Sequence, residues 1–243
     1  MDNKKIELLQ KLIDESHHIV FFGGAGVSTE SGIPDFRSKD GLYRLHSKYD
    51  RPYEEMLSHT YFMNETSTFY KFYKEFMITD AKPNKAHYFL AELEKKKDLT
   101  VITQNIDGLH QIAGSKKVIE LHGSIHRNYC MNCYRFYSLK DMLALKGDIP
   151  RCESCGGIIK PDVVLYEEGL NEDDIQNAIR AIQKADLFIV AGTSLKVYPA
   201  NGLIYYYQGK NNVVINKEPL NISSEVTLEI NDPVGEVLSQ IKI

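Results

Sequence analysis

The 243-residue sequence predicts an α/β protein, a doubly wound parallel sheet accompanied by a smaller second domain. Three observations carry that prediction. Short apolar runs of the kind buried in parallel strands recur with helical stretches between them. Polar or glycine residues follow the runs, where an open α/β sheet places its ligands. Two regions interrupt the alternation and read as insertions.

The first element is a charged helix over 1 to 16, with Ile6, Leu9 and Ile13 on one face and Leu8 and Leu12 beside them. Five strands are expected at Ile19–Phe22, Leu99–Ile102, Val118–Leu121, Leu187–Val190 and Val213–Asn216. Helical stretches Ala86–Lys96 and Glu172–Ala185 lie between them. The second is capped by Asn171 and carries Ile175, Ile179 and Ile182 along one face. Residues 39–80 are rich in Tyr, Phe and Met and read as helical, and residues 126–160 hold all four cysteines. The sheet domain is therefore expected from 1–38, 81–125 and 161–243. A helical module (39–80) and a cysteine module (126–160) make up the second domain.

With 43% hydrophobic residues the chain sustains a sizeable core. A net charge of −4 and a pI near 6.1 argue against bulk attraction to nucleic acid or anionic membrane, so neither is expected as a direct partner. No run reaches the roughly 20 apolar residues of a membrane span, and the N-terminus lacks a secretory pattern. A cytoplasmic protein is expected, since the cysteines suit metal better than disulfides.

Directly after the first strand comes Gly23-Gly24-Ala25-Gly26-Val27-Ser28-Thr29. Glycines there let the backbone turn sharply and approach a pyrophosphate, and a following helix N-terminus would present N–H groups to the anion. Thr29 stands where the usual fingerprint has a third glycine, and a tight strand-to-helix turn is the plainer alternative. Pro34 then stops a helix, leaving Asp35, Phe36 and Arg37 on a loop near that site. Arg37 there suits a phosphate and Phe36 a ring, although a buried Phe and a surface ion pair explain the segment equally well.

Thr103-Gln104-Asn105-Ile106-Asp107-Gly108 follows the second strand, placing amides and a carboxylate at a strand's carboxyl end. His122-Gly123-Ser124 follows the third. Of eight histidines only His122 combines a strand end with an adjacent glycine, which makes it the candidate general base; a hydrogen-bonded edge histidine is the competing reading. Ala191-Gly192-Thr193-Ser194 and Asn216-Lys217-Glu218 supply further polar groups at the fourth and fifth exits, suited to phosphate and ribose.

Cys130-x-x-Cys133 and Cys152-x-x-Cys155, separated by residues 134 to 151, match the spacing of a four-thiolate zinc ribbon. Four thiolates close the coordination sphere, so one structural Zn²⁺ is expected, with no catalytic position left open.

Taken together and in order, these motifs resemble the sirtuins, the silent-information-regulator family of NAD-dependent protein deacylases, most closely the bacterial members. The residues that carry the resemblance are Gly24-Ala-Gly-Val-Ser28, Gly32-Ile-Pro-Asp-Phe-Arg37, Thr103-Gln-Asn-Ile-Asp107, His122-Gly123, both CxxC pairs, Lys160-Pro-Asp-Val-Val164 and Gly192-Thr-Ser194. The resemblance implies a Rossmann-like NAD domain, with acetylated-lysine peptides or proteins entering a cleft beside the small domain. In such chemistry the acyl oxygen attacks C1′ of the nicotinamide ribose and nicotinamide leaves. A histidine then activates a ribose hydroxyl, and water finally releases lysine and O-acyl-ADP-ribose.

Carried over to this chain, the resemblance implies that His122 is the base and that Asn105 orients ribose and water. Ile106 and Asp107 would hold the nicotinamide carboxamide, and Phe36 would shield the sugar. Gly24, Ala25, Gly26, Thr29 and Arg37 belong to the cofactor loop. Gln104, Gly192, Thr193, Ser194, Asn216 and Lys217 would contact ribose or phosphate, and Asp232 would lie near adenine. Peptide would add as a strand between Val164-Leu165-Tyr166 and Leu195-Lys196-Val197. The activity implied is lysine deacetylation, with protein mono-ADP-ribosylation as the alternative.

Two departures qualify the resemblance. Glu167 stands where family members commonly have Gly, which bears on peptide preference. Gly23 replaces a Thr, a minor change. Succinyl-removing members also carry a Tyr-x-x-Arg pair; here Tyr70 is followed by Tyr73 in place of Arg, with Lys71 and Lys74 as alternative cations, so neutral acyl groups are expected.

Overall fold

The computed structural model describes residues 2–35, 51–220 and 226–243. Asp2 accepts from the Lys4 amide (2.9 Å) and starts helix α1 (Asn3–Glu15), which buries Leu9, Leu12 and Ile13. Strand β1 (His18–Gly23) follows and becomes the middle of a six-stranded sheet. The other strands are β2 (Asp98–Thr103), β3 (Val118–Glu120), β7 (Leu187–Ala191), β8 (Asn211–Ile215) and β9 (Leu228–Ile230). Their order is β3-β2-β1-β7-β8-β9, and every neighbouring pair is parallel.

Side-chain alternation explains why these strands read as unbroken apolar runs. Ile19 and Phe21 pack on one face with Leu9, Leu90 and Leu238, from α1, α5 (Lys85–Glu94) and α9 (Val234–Leu238). Val20 and Phe22 pack on the other with Ile182 of α8 (Glu172–Lys184) and Leu203 of a 3-10 helix over Ala200–Tyr206. Both faces are buried, so no polar alternation survives. The sixth strand, β9, was not among the five expected: it is a three-residue edge strand with half-buried Glu229 at its centre, and its pattern alternates.

Chain direction reverses around β1. From β1 the chain moves outward through β2 and β3, then returns to the other side of β1 for β7, β8 and β9. The crevice between the β1 and β7 exits is thus the topological switch point, where such sheets bind ligands.

A second core gathers α2 (Tyr53–Met56), α3 (His59–Asn64) and α4 (Thr66–Phe76) onto a three-stranded antiparallel sheet. That sheet, ordered β5-β4-β6, consists of β4 (Gly123–Cys130), β5 (Phe136–Ser138) and β6 (Ile159–Val163), with α7 (Leu139–Ala144) beside it. Phe62, Phe69, Tyr70, Phe72 and Tyr73 are fully buried, and the Tyr70 hydroxyl donates to the Ile159 carbonyl. Strands β4 and β6 run through the boundaries at 125/126 and 160/161 drawn from composition, because ladder pairing extends to Gly123 and Val163.

Candidate active site and metal centre

The β1 and β7 exits interlock. Gly24 N–H donates to the Ala191 carbonyl (3.1 Å) and Gly26 N–H to the Gly192 carbonyl (2.7 Å). A Cβ on Gly24 would stand 2.8 Å from Thr193 Cβ, and one on Gly26 2.8 Å from Gly192 Cα. Gly192, at φ +56°, would place its own Cβ 2.4 Å from the Val27 nitrogen. Here the glycines are required by the approach of two loops. The α-helix expected after the loop is replaced by two 3-10 turns, Ala25–Val27 and Thr29–Ser31, ended by Gly32 at φ +83° and followed by Pro34. Left-handed Gly32 ends the second turn and Pro34 cannot continue a helix. Thr29 Oγ1 donates to the Gly26 carbonyl (3.0 Å), while Ala25 is half-buried.

The other exits converge on the same crevice. Gln104 Nε2 donates to Thr193 Oγ1 (3.2 Å), and Thr193 N–H donates to Asn216 Oδ1 (3.0 Å), stitching the ends of β2, β7 and β8. Asn105 Nδ2 reaches the Gly24 carbonyl (3.1 Å) and Ser28 Oγ (3.0 Å). Ser28 Oγ in turn donates to Asp107 Oδ2 (2.7 Å), and Asp107 Oδ1 accepts from Leu109 N–H (2.9 Å). Ile106 accepts from the Ile125 amide at the start of the antiparallel sheet (3.0 Å). Ser194 and Lys217 are exposed beside this network. Asp232 follows β9, and its neighbour Asn231 donates to the Asn216 carbonyl (3.3 Å). Phe36 and Arg37 lie outside the described residues.

Two residues of this network were not singled out from sequence. Ser28 is buried and links Asn105 to Asp107; a buried hydroxyl within a glycine loop was the available signal. Asn84 caps α5 and donates to the Val27 carbonyl (2.8 Å) and Ser31 Oγ (3.0 Å), holding the loop from the side. Its distance in sequence concealed it.

His122 leaves β3 with its Nδ1 bonded to the Gln104 carbonyl (2.9 Å). A carbonyl only accepts, so Nδ1 carries the proton and neutral imidazole keeps its lone pair on Nε2. Burial pushes the imidazole below its ordinary proton affinity, against the pull of the Gln104 carbonyl. Gly123 explains the His-Gly pair: at φ +75°, a Cβ would fall 1.9 Å from the Asp162 carbonyl oxygen. The His122 carbonyl accepts from Val164 N–H (2.9 Å), coupling His122 to the segment expected to bind peptide.

That segment is internally bonded. Leu165 N–H donates to Glu168 Oε2 (2.9 Å) and Tyr166 N–H to the Leu57 carbonyl (2.9 Å). Opposite, Leu195 N–H donates to Thr193 Oγ1 (3.1 Å), and the Leu195 and Val197 carbonyls accept from Asn201 (3.2 and 2.9 Å).

The four cysteine sulfurs of Cys130, Cys133, Cys152 and Cys155 lie within 4.8 Å of one another. Cys130–Cys155 and Cys133–Cys152 approach to 3.4 and 3.6 Å, far beyond a disulfide at about 2.0 Å. Tetrahedral zinc at about 2.3 Å from each sulfur requires separations of about 3.8 Å, so the donor set fits one Zn²⁺. Tyr137 hydroxyl donates to Cys152 Sγ (3.3 Å) and Asn132 N–H to Cys130 Sγ (3.4 Å), outer bonds that suit thiolate charge. A Cβ on Gly157 would stand 2.8 Å from Cys130 Sγ.

The sequence profile of the Sir2 family matches residues 24–199, most of the chain and all of these exits but the last two. The chain belongs to the Sir2 family. This Sir2-family chain is 56% identical over 239 residues to the NAD-dependent protein deacetylase of Clostridium acetobutylicum, covering 98% of each. It is 55% identical over 243 residues to that of Clostridium tetani, covering 99% of this chain and 98% of the relative. Among solved structures it resembles a Sir2 enzyme with deacetylated p53 peptide and 3′-O-acetyl-ADP-ribose (TM-score 0.87, 39% identity, 97% and 96% covered). It also resembles a Sir2 complex with p53 peptide and NAD+ (TM-score 0.84, 40% identity, 99% and 97% covered). The parallel sheet and cysteine cluster of this chain are thus those of a Rossmann-like Sir2 fold with a zinc-ribbon module.

Proposed function

We propose that this chain is an NAD-dependent protein-lysine deacetylase, with His122 as general base. The observation that carries the reading is the tautomer fixed by the Gln104 carbonyl, which leaves Nε2 as a proton acceptor at the crevice where four strand exits meet. Relatives covering nearly the whole chain are NAD-dependent protein deacetylases, which supports it. NAD, when bound, supplies a nicotinamide leaving group and a ribose that accepts the acetyl group, yielding nicotinamide, free lysine and O-acetyl-ADP-ribose.

The chain's own residues then divide the work. Gly24, Ala25, Gly26, Thr29, Gly192, Thr193 and Ser194 line the phosphate-binding exits, with Phe36 and Arg37 assigned to the same cofactor loop. Asn216, Lys217 and Asp232 extend the crevice toward the adenosine end. Gln104 ties His122 to Thr193, so the base and a cofactor loop share one residue. Asn105 is aimed by Ser28, and Ile106 with Asp107 forms the nicotinamide pocket. His122 Nε2 takes the proton of a ribose hydroxyl; its lowered proton affinity keeps it neutral, and competent, somewhat below its ordinary value. Peptide adds between Val164–Tyr166 and Leu195–Val197 by main-chain pairing, which reads little sequence.

We assign one structural Zn²⁺ to the four cysteines, holding the ribbon half of a small domain whose other half is the helical module 39–80. We assign the sheet domain to 1–38, 81–125 and 161–243 and the ribbon to 126–160, with β4 and β6 crossing the two boundaries between them. A neutral acyl group fits best: Tyr73 is buried where a carboxylate-gripping Arg would stand, Lys71 faces Asp148 (3.6 Å), and Lys74 lies over the Tyr70 ring (6.0 Å). No helix among the described residues is long and apolar enough to cross a membrane, and thiolates held for metal suit the reducing cytoplasm, where we place the protein.

The test is mass spectrometry of acetyl- and succinyl-lysine peptides incubated with NAD. Acetyl release with matching nicotinamide is expected, His122→Ala abolishing turnover by at least about 100-fold while NAD binding persists. Full turnover in that variant refutes the base. Label from NAD on protein without acetyl release refutes deacetylation in favour of ADP-ribosyl transfer.

A further inference from the structure

Glu167 adopts φ +76°, in the left-handed region where a side chain is disfavoured and glycine is at home. Its side chain is exposed, yet the carboxylate is engaged: Oε2 accepts from the Thr60 amide (2.8 Å) at the start of α3. Contacts with the Thr60 side chain, then with its amide, hold the carboxyl below its ordinary value. Around this bond the same two segments meet twice more. Tyr166 forms a parallel bridge with Ser58, its N–H donating to the Leu57 carbonyl (2.9 Å) and its carbonyl accepting from His59 N–H (3.0 Å). Glu168 joins His59 Nδ1 (2.8 Å), Lys160 Nζ (3.0 Å) and Leu165 N–H (2.9 Å).

We propose that Glu167 is a positioning residue, a clasp that fixes the loop after Val164-Leu165-Tyr166 to the helical module through the Thr60 amide, and so preorganises the peptide-binding strand. The proposal rests on the reading of that strand as the peptide site. Glycine at 167 fits the backbone but has nothing to reach across with. A side chain that occupies a disfavoured conformation and bonds to a neighbouring module therefore acts between the two segments. The carboxylate's hydrogen-bonding role at Thr60, more than its charge, is what the peptide site feels.

The full-length protein and its E167G and E167Q variants decide the matter. Glycine suits φ +76°, so E167G folds and deletes only the clasp; glutamine retains an oxygen acceptor and rescues it. E167G is expected to exchange the Thr60 amide about tenfold faster and to raise the KM for an acetyl-lysine peptide about threefold to tenfold, with the KM for NAD and kcat unchanged. E167Q stays within about twofold of wild type in both readouts. Wild-type Thr60 exchange in E167G overturns the clasp. Faster exchange without a change in peptide KM overturns its positioning role, and E167Q behaving like E167G overturns the hydrogen bond in favour of charge. Failure of the deacetylase reading shows separately, as a wild-type protein that releases no acetyl group; peptide affinity by fluorescence anisotropy in the same three proteins then replaces KM and decides the clasp by the same pattern.

Discussion

Gly123→Ala tests how tightly His122 is tied to the antiparallel sheet. Two effects add at this position. The residue sits at φ +75°, which costs an alanine about 1–2 kcal/mol. Its Cβ would also fall 1.9 Å from the Asp162 carbonyl oxygen, so β4 and β6 must separate by more than about 1 Å to restore ordinary contact. That movement strains the Gly123–Val163 pairing and the 2.9 Å bond from Val164 N–H to the His122 carbonyl. Overpacking of this kind costs about 1–3 kcal/mol and a weakened backbone bond about 1 kcal/mol, giving with the conformational part roughly 3–6 kcal/mol in all. Gly147→Ala is the matched control: φ is +95°, and a Cβ there meets nothing within 4 Å, so only the conformational part, about 1–2 kcal/mol, remains. Urea denaturation of both variants, compared at equal m-value, reads the difference. Gly123→Ala should also lose turnover out of proportion to its stability, because His122 is adjacent. Two variants agreeing to within about 0.5 kcal/mol would show that the overlap relaxes freely and would refute the coupling.

Two further outcomes follow from buried groups. His87 and His110 are buried with ring centroids 4.6 Å apart, and burial lowers their pKa values to about 4 and about 3, with Asp107 opposing the shift at His87. Unfolded histidines take up protons below about pH 6.5 while the folded pair stays neutral. Stability is therefore full above pH 6.5 and is lost as pH falls toward 4, with a slope approaching about 1.4 kcal/mol per pH unit for each histidine. A His87→Gln, His110→Gln double variant should flatten that slope in denaturation measured from pH 7 to 4.5; an unchanged slope assigns it to other groups. At the metal centre, Cys152→Ser or a strong chelator should release one zinc per chain and lower the melting temperature through the ribbon. Zinc content and melting that both survive the substitution would remove the cysteines from metal binding.

How much was legible in advance depended on range. The strand β1 run, the α8 cap at Asn171 and the CxxC spacing are local signals, since periodicity, capping and ligand spacing act within a few residues. So the sequence by itself determined the α/β class, the pairing of four cysteines in a spacing that suits a metal and the place of His122 at a strand end. Other features depend on segments far apart in the chain. The edge strand β9 became visible only once β8 gave it a partner. Gly24 and Gly26 pack against Gly192, across more than 160 residues, a constraint that the local motif does not contain. Asn84 grips Val27 and Ser31 from another helix, and Glu167 reaches Thr60 from another module. The tautomer of His122 likewise awaited the Gln104 carbonyl. Residue types declare which chemistry is possible; hydrogen bonds and steric exclusion between distant segments decide which lone pair, which loop and which module carry it.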